Sequence, residues 1–366
     1  MPAPTRPLTL PPQLSRRAVV VGAGSFGTAV AVLLARGGLR TTLQTRTAEQ
    51  AERLIAAREN ALYLPGVELP STLRIESVDA GLGRADYVFL GVPSAGLREV
   101  IAGLPERGLR SKTPVISLAK GLVGPEGTPP TLVLREQFGE QRVACIGGPS
   151  HAQEMVSAGA GLVAASANED LAHAIAQVFI RAGVVCEESN DPIGVELSGA
   201  AKNAAALAAG ATQAQGLNAA GAAAGHIFAE VWRFAADLGA RPESMVGLAG
   251  TGDLVATVLA PGSRNRRAGE LLADGVPGAE IPARVGQAVE SLETVPLLAR
   301  ALQRAQVEAP VTSGLARLIS GDLPLDDWVA LVRTTVPPRA RFRERRAGFW
   351  SRMRERLRRK PKLVQE

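Results

Sequence analysis

The chain has 366 residues, 46% hydrophobic and 21% charged, with a formal net charge of +6. That length favours two domains, each burying its own core, and no window approaches the roughly 18 uninterrupted apolar residues of a membrane span. Residues 339–366 hold twelve Lys or Arg against three Glu, so the rest is net acidic, which excludes a nucleic-acid-binding reading of the whole.

Residues 1–16 are proline-rich and lack the basic start, apolar run and small-residue cleavage site of a secretory signal; they read as a disordered leader. The apolar run 18–22 predicts a strand, 28–35 a helix and 41–45 a second strand, and further strands are expected at 87–92, 114–118 and 143–146. Spacings long enough for crossover helices make this an α/β class: a doubly wound, mostly parallel Rossmann sheet over 17–191. At Asp191-Pro192 the character changes. Ala-rich stretches at 200–211 and 221–238, then segments to 333 punctuated by Gly and Pro, predict an all-α substrate domain over 192–333 and a basic tail over 334–366. Cys145 and Cys186 stand far apart with no CxxC or Cys/His cluster, so no disulfide framework or metal site is expected, and a reducing cytoplasm fits.

Gly22-Ala-Gly24-Ser-Phe-Gly27 matches GxGxxG between the first strand and its helix. The first glycine permits the turn, the second admits the pyrophosphate, and the third lets helix pack on strand; the phosphates then meet free helix N–H groups. A nicotinamide dinucleotide is the expected ligand. Residues 40–46 hold no acid to accept from a ribose 2'-hydroxyl, and Arg46 suits a 2'-phosphate, which points to NADP, with NAD as the alternative.

Further on stand Leu118-Ala-Lys120-Gly-Leu, Gly147-Gly-Pro-Ser150-His-Ala152-Gln-Glu154, Gly194-Val-Glu-Leu-Ser-Gly-Ala-Ala-Lys202-Asn203, Gly250-Thr-Gly-Asp253-Leu, Ser263-Arg264-Asn265-Arg266-Arg267 and Gly286-Gln-Ala288-Val-Glu290. In this order and near this spacing, over residues 17–324, they resemble NAD(P)-dependent glycerol-3-phosphate dehydrogenase of the bacterial type. The resemblance implies reduction of dihydroxyacetone phosphate to glycerol 3-phosphate, the backbone of phospholipids, by a homodimer; a related two-domain reductase of a hydroxy acid or ketopantoate and a non-catalytic dinucleotide sensor are the alternatives.

Hydride reaching a ketone carbon leaves charge on oxygen, so a proton donor must stand beside the nicotinamide. Lys202, among the small residues Gly199, Ala200, Ala201, Ala204 and Ala205, matches the family's catalytic lysine, and burial would lower its pKa toward the working range. The resemblance implies that substrate meets Lys120, Gly148, Ser150, Lys202, Asp253, Ser263, Arg264 and Asn265. It implies cofactor contacts at Gly22, Gly24, Ser25, Phe26, Gly27, Arg46, Lys120, Ala152, Arg264, Ala288 and Glu290. Lys120 would polarise the carbonyl oxygen or hold an anion, Asp253 would hold a substrate hydroxyl or orient Lys202, and Ser263-Arg264-Asn265 suits a phosphate dianion.

The chain departs from the family at Ser291, where a glycine is usual, and at Gly225-His226, where a Thr-Arg pair is usual. The segments between Glu290 and Thr294 and between Lys202 and Asn218 are short. These changes bear on affinity and cofactor preference. His151 and His226 are assigned no acid role. In the tail, Phe342, Phe349, Trp350, Met353 and Leu357 fall near one helical face opposite arginines, a pattern for weak contact with anionic membrane or for a solvated tail.

Overall fold

The structure, a computed structural model, describes residues 16–260 and 262–336. Buried β-branched valines begin it: β1 (Arg17–Val21) is covered on both faces and turns at Gly22 into α1 (Ser25–Arg36). The chain returns through β2 (Arg40–Thr45), and Thr47 starts α2 (Ala48–Ala57) by accepting a hydrogen bond from Gln50 N at 3.2 Å. An antiparallel pair, β3 (Glu59–Asn60) and β4 (Leu64–Glu68), precedes β5 (Arg74–Ser77). A second series follows: β6 (Tyr87–Leu90), α3 (Leu97–Gly103), β7 (Val115–Ser117), α4 (Pro130–Phe138) and β8 (Val143–Gly147). It closes with α5 (Ala152–Ser157), β9 (Gly161–Ala165), α6 (Glu169–Arg181) and β10 (Val185–Ser189).

Eight strands form one sheet in the order β10-β9-β8-β7-β6-β1-β2-β5, parallel except for the antiparallel β8–β9 pair. The winding reverses between β1 and β6, so their carboxyl ends open a crevice there, the ligand position in sheets of this kind. Leu33, Leu34, Leu43 and Phe179 fill one face of the sheet, and Leu90, Leu97, Ile101 and Leu134 the other. The expected doubly wound sheet is present. The strands β5, β9 and β10 and the hairpin go beyond the expectation, because a small-residue strand (Gly161–Ala165) and acidic or basic edge strands lack the apolar run that marks β1 or β6.

The helical part starts at Asp191-Pro192. Asp191 Oδ1 accepts from Gly194 N at 2.8 Å, capping α7 (Pro192–Ala211), while its Oδ2 accepts from Arg241 N and Ser244 Oγ, both at 2.7 Å. There follow α8 (Leu217–Asp237), α9 (Pro242–Val246), a π turn over Leu248–Gly252, α10 (Asp253–Leu259), α11 (Arg264–Ala273) and α12 (Ile281–Val285). The series ends with α13 (Glu290–Arg304), α14 (Pro310–Ser320) and α15 (Leu325–Thr334). Almost every residue of α7 is buried, against α8, α11 and α13. Its closest neighbour is α11: a Cβ at Gly210 would lie 2.1 Å from Arg266 O, and one at Gly269 2.0 Å from Leu207 O. Only glycine permits backbones to approach so closely.

Among the described residues no single helix is long and apolar enough to cross a membrane. Cys145 and Cys186 are buried free thiols. Of the leader only Arg16 is described, its guanidinium 5.8 Å over the Tyr87 ring. The remaining leader and the amphipathic tail beyond Val336 lie outside the described residues.

Candidate active site

The three glycines of the first loop differ in their physical reasons. Gly22 has φ +109°, and a Cβ there would meet Gly91 O at 2.5 Å; a Cβ at Gly27 would meet Gly22 O at 2.1 Å. Both are demanded by the fold itself. A Cβ at Gly24 would meet nothing within 4 Å, so its backbone faces open space at the start of α1, whose first turn (Ser25, Phe26, Gly27) carries no acidic side chain. Free N–H groups beside an uncovered glycine fit a pyrophosphate. Asn60, not singled out from the sequence, braces this loop: buried in β3, it donates to Ala23 O at 3.0 Å and Thr28 Oγ1 at 2.8 Å. Arg46 stands exposed just past β2, its N–H donating to Gln50 Oε1 at 3.4 Å. Ala152 opens α5 and packs against the sheet core.

Two lysines meet on one carboxylate. Lys120, in the segment after β7, donates from Nζ to Asp253 Oδ2 at 2.9 Å, Ser150 Oγ at 2.7 Å and Gly148 O at 2.9 Å. Lys202 Nζ lies 3.4 Å from Asp253 Oδ1 and donates to Thr257 Oγ1 at 3.1 Å. All three charged side chains are largely buried, 14%, 8% and 5% exposed for Lys120, Lys202 and Asp253. Burial lowers the Lys202 pKa and Lys120 adds to this, while Asp253 opposes it. For Asp253, burial pushes upward, but the two lysines outweigh it and hold the carboxyl below its usual range. The π turn before α10 aims Asp253 inward; a Cβ at Gly250 would lie 1.9 Å from Met245 O. Phe26 ties this cluster to the glycine loop, its ring centroid 5.5 Å from Lys120 Nζ.

An amide network adjoins it. Asn265 Nδ2 donates to Asn203 Oδ1 at 2.8 Å, and Asn203 Nδ2 donates to Glu290 Oε2 at 3.0 Å and Lys120 O at 3.5 Å. Ser291 N donates to Asn265 Oδ1 at 3.2 Å; its fully buried Oγ has no partner among the described residues. Ser263 Oγ accepts from Arg266 N at 3.3 Å, capping α11 and leaving its own O–H free to donate. Arg264 Nη1 holds the loop before α13 by donating to Gln287 Oε1 at 3.2 Å and Ala288 O at 3.0 Å. Arg266 and Arg267 instead pair with Glu270 at 3.5 and 3.1 Å. The structure thus gathers Lys120, Gly148, Ser150, Lys202 and Asp253 in one cluster and Asn265, Glu290 and Ser291 in another, joined by Asn203. Thr257 went unmarked in the sequence, although its place four residues after Asp253 on α10 puts it on the same helix face.

A glycine loop at the switch point of a doubly wound sheet, facing a buried lysine pair that spans sheet and helices, defines a two-part, nicotinamide-dinucleotide-dependent oxidoreductase. Two family models match: NAD-dependent glycerol-3-phosphate dehydrogenase N-terminus over residues 17–172, and its C-terminus over 191–330. The chain belongs to the NAD-dependent glycerol-3-phosphate dehydrogenase family. It is 39% identical to glycerol-3-phosphate dehydrogenase [NAD(P)+] of Thermus thermophilus, over 82% of this chain and 93% of that one. It is 38% identical to the protein of the same name from Deinococcus radiodurans, over 83% and 90%. Among solved structures, glycerol-3-phosphate dehydrogenase from Coxiella burnetii superposes with a TM-score of 0.82 at 30% identity, over 88% of this chain and all of that one.

Proposed function

We propose that this chain catalyses the reversible, NADPH-linked reduction of dihydroxyacetone phosphate to sn-glycerol 3-phosphate. The observation that carries the reading is the meeting of Lys120 and Lys202 on Asp253, with Lys120 Nζ 5.5 Å from the ring centroid of Phe26 in the nucleotide loop. A nicotinamide dinucleotide held by the glycine loop would supply the hydride that the carbonyl carbon takes up. Lys202, its pKa lowered by burial, donates the proton that the developing alkoxide needs. Lys120 fixes positive charge beside the carbonyl oxygen, and Asp253 keeps both ammonium groups aimed into the cleft. Gly148 and Ser150 line the substrate side next to Lys120.

Substrate phosphate is assigned to the start of α11, where Ser263 has an O–H to give, Arg264 a planar guanidinium and Asn265 an amide. Gly22, Gly24, Ser25, Phe26 and Gly27 would hold the pyrophosphate, and Arg46 the 2'-phosphate that distinguishes NADP from NAD. Lys120, Ala152, Arg264, Ala288 and Glu290 complete the cofactor's surroundings. By this reading the protein works in the cytoplasm as a homodimer, feeds phospholipid synthesis and takes no metal. The tail adds weak contact with anionic membrane, and equal flotation of full-length and tail-deleted protein with anionic vesicles would dismiss that last element. The test of the reaction is NADPH oxidation on addition of dihydroxyacetone phosphate, compared between native protein and Lys202→Ala. No turnover by native protein overturns the reaction, and undiminished turnover by the variant overturns the role of Lys202.

A further inference from the structure

Glu196 is a buried carboxyl that the chemistry above leaves idle. It lies on α7, 5% exposed, and its partners belong to the sheet half of the chain: Thr131 N donates to both its oxygens at 3.0 Å, and Thr131 Oγ1 donates to Oε2 at 2.6 Å. Thr131 sits in the first turn of α4, where backbone N–H groups lack helical partners. Between Lys120 and Thr131 the chain makes a tight excursion closed by the Val123–Thr128 bridge, so whatever holds Thr131 also holds the stem of Lys120.

The spacing along α7 extends this contact. Glu196, Gly199 and Asn203 stand at i, i+3 and i+7, one face of a helix over about 10 Å. Gly199 and Asn203 meet Lys120 itself, and Glu196 meets Thr131 at the far end of the excursion that Lys120 begins. A Cβ at Gly199 would lie 3.7 Å from Lys120 O, and Asn203 Nδ2 donates to that same oxygen at 3.5 Å. Lys202 projects from the adjoining position. Gly199 offers no side chain to grip and the Asn203 bond is long, so Glu196 is the strongest fixing point on this face. A small rotation or slide of α7 would carry Lys202 away from Asp253 while leaving the glycine loop untouched.

We propose that Glu196 is a positioning residue, a clamp between α7 and the start of α4 that sets the distance between Lys120 and Lys202; the proposal rests on the reaction assigned above. Burial pushes the carboxyl up to about 8 against the pull of the Thr131 hydrogen bonds, so near neutral pH it is held mainly protonated. The titratable group beside it is Cys145 on β8, whose buried thiol is itself raised and also feels Asp191 at the start of α7. Oε2 alone accepts from both Thr131 N and Thr131 Oγ1, a pair of bonds that the carbonyl oxygen of a protonated carboxyl or of a glutamine amide reproduces.

The experiment compares Glu196→Gln and Glu196→Leu in the full chain, with kcat counted per NADPH-binding site. Glu196→Gln is expected to keep kcat within about threefold, because its hydrogen bonds survive. Glu196→Leu is expected to lose about 10²-fold in kcat, as small misplacements of reacting groups do. Its NADPH affinity should stay native, and the alkaline limb of its kcat–pH profile should move toward that of an ordinary lysine. A folded Glu196→Leu with native kcat and native pH limb overturns the clamp, as does Glu196→Gln impaired as badly as Glu196→Leu. If the leucine variant fails to fold, Thr131→Val decides. It removes one hydrogen bond and should lose roughly three- to tenfold in kcat at native NADPH affinity, whereas unchanged kcat and pH limb overturn the proposal. A native protein without turnover refutes the reaction and not the clamp. The pH at which Lys202 becomes reactive to an amine-labelling reagent, read by mass spectrometry, then tests the clamp: it should rise in Glu196→Leu, and an unmoved value overturns it.

Discussion

Asn203 and Asn265 share a 2.8 Å hydrogen bond that joins α7 to α11, and through it the residues assigned to phosphate meet those assigned to cofactor. Asn203 uses both ends of its amide, accepting from Asn265 and donating to Glu290. Asn203→Ala would leave the half-buried Asn265 amide without its acceptor, at a cost of about 1–3 kcal/mol, while the exposed Glu290 carboxylate can turn to water. We expect kcat/KM for dihydroxyacetone phosphate and for NADPH to fall together, by about 10- to 100-fold. Steady-state kinetics with each substrate varied would show this, and a loss confined to one substrate would contradict the joint.

The glycine loop separates folding from binding. Gly24→Val should keep the native Tm, because nothing lies within 4 Å of its Cβ position, yet weaken NADPH by about tenfold or more by filling the phosphate approach. Gly27→Ala, with Gly22 O at 2.1 Å, should lose both, with roughly 1–3 kcal/mol of stability gone. Thermal melts and fluorescence titration with NADPH distinguish the two, and native-like NADPH affinity in Gly24→Val would count against the assignment of the loop.

Lys202 should leave its mark on the pH profile. Reduction needs the ammonium form, and burial lowers its pKa. The reductive kcat therefore declines as pH rises through a value below that of a free lysine, while the oxidative rate climbs over the same range. Lys202→Ala is expected to lose about 10²- to 10⁴-fold in kcat and the limb with it. A limb that persists unchanged in the variant belongs to another group.

Arg46 is expected to act on one cofactor only. Arg46→Ala should raise KM for NADPH by about 10- to 100-fold, the worth of a charge-assisted bond to phosphate, and leave KM for NADH unchanged. An equal effect on both would mean that Arg46 serves the shared part of the nucleotide or only the loop around it.

Glu196 also links stability to pH. Its carboxyl is raised from the ordinary 4.5 to about 8 in the native protein, so between these values the native state binds more protons than the unfolded chain. Stability then declines as pH rises across that window and levels off above about pH 8. Glu196→Gln lacks this dependence. Its Tm relative to native should increase from pH 5 to pH 8, and a constant difference would show that the carboxyl titrates in its ordinary range.

What the sequence discloses follows from how local each cause is. The turn at Gly22 and the apolar strand before it depend on neighbouring residues, and α7 announces itself through its alanines and the Asp191-Pro192 start. The lysine pair is another matter. Eighty-two positions separate Lys120 from Lys202, and no periodicity says that both will meet Asp253; the resemblance of motifs brought them together. Asn60, Thr257 and Glu196 escaped notice because each acts on a partner supplied by tertiary packing, Thr131 lying sixty-five residues before Glu196. β9 and β10 were missed for a related reason, since a strand of small residues or one at an acidic edge is recognisable only beside its neighbours.

The close crossing of α7 and α11 at Gly210 and Gly269 bears on how this chain can vary over its descent. Neither glycine has a place in the chemistry assigned above, yet a single added methyl at either would meet a backbone oxygen near 2 Å, and the helices it pushed apart carry Asn203 and Asn265. Lineages of this chain therefore have little freedom at two positions that a survey of reactive groups would pass over, and substitutions tolerated there would have to arrive together with a rearrangement of both helices.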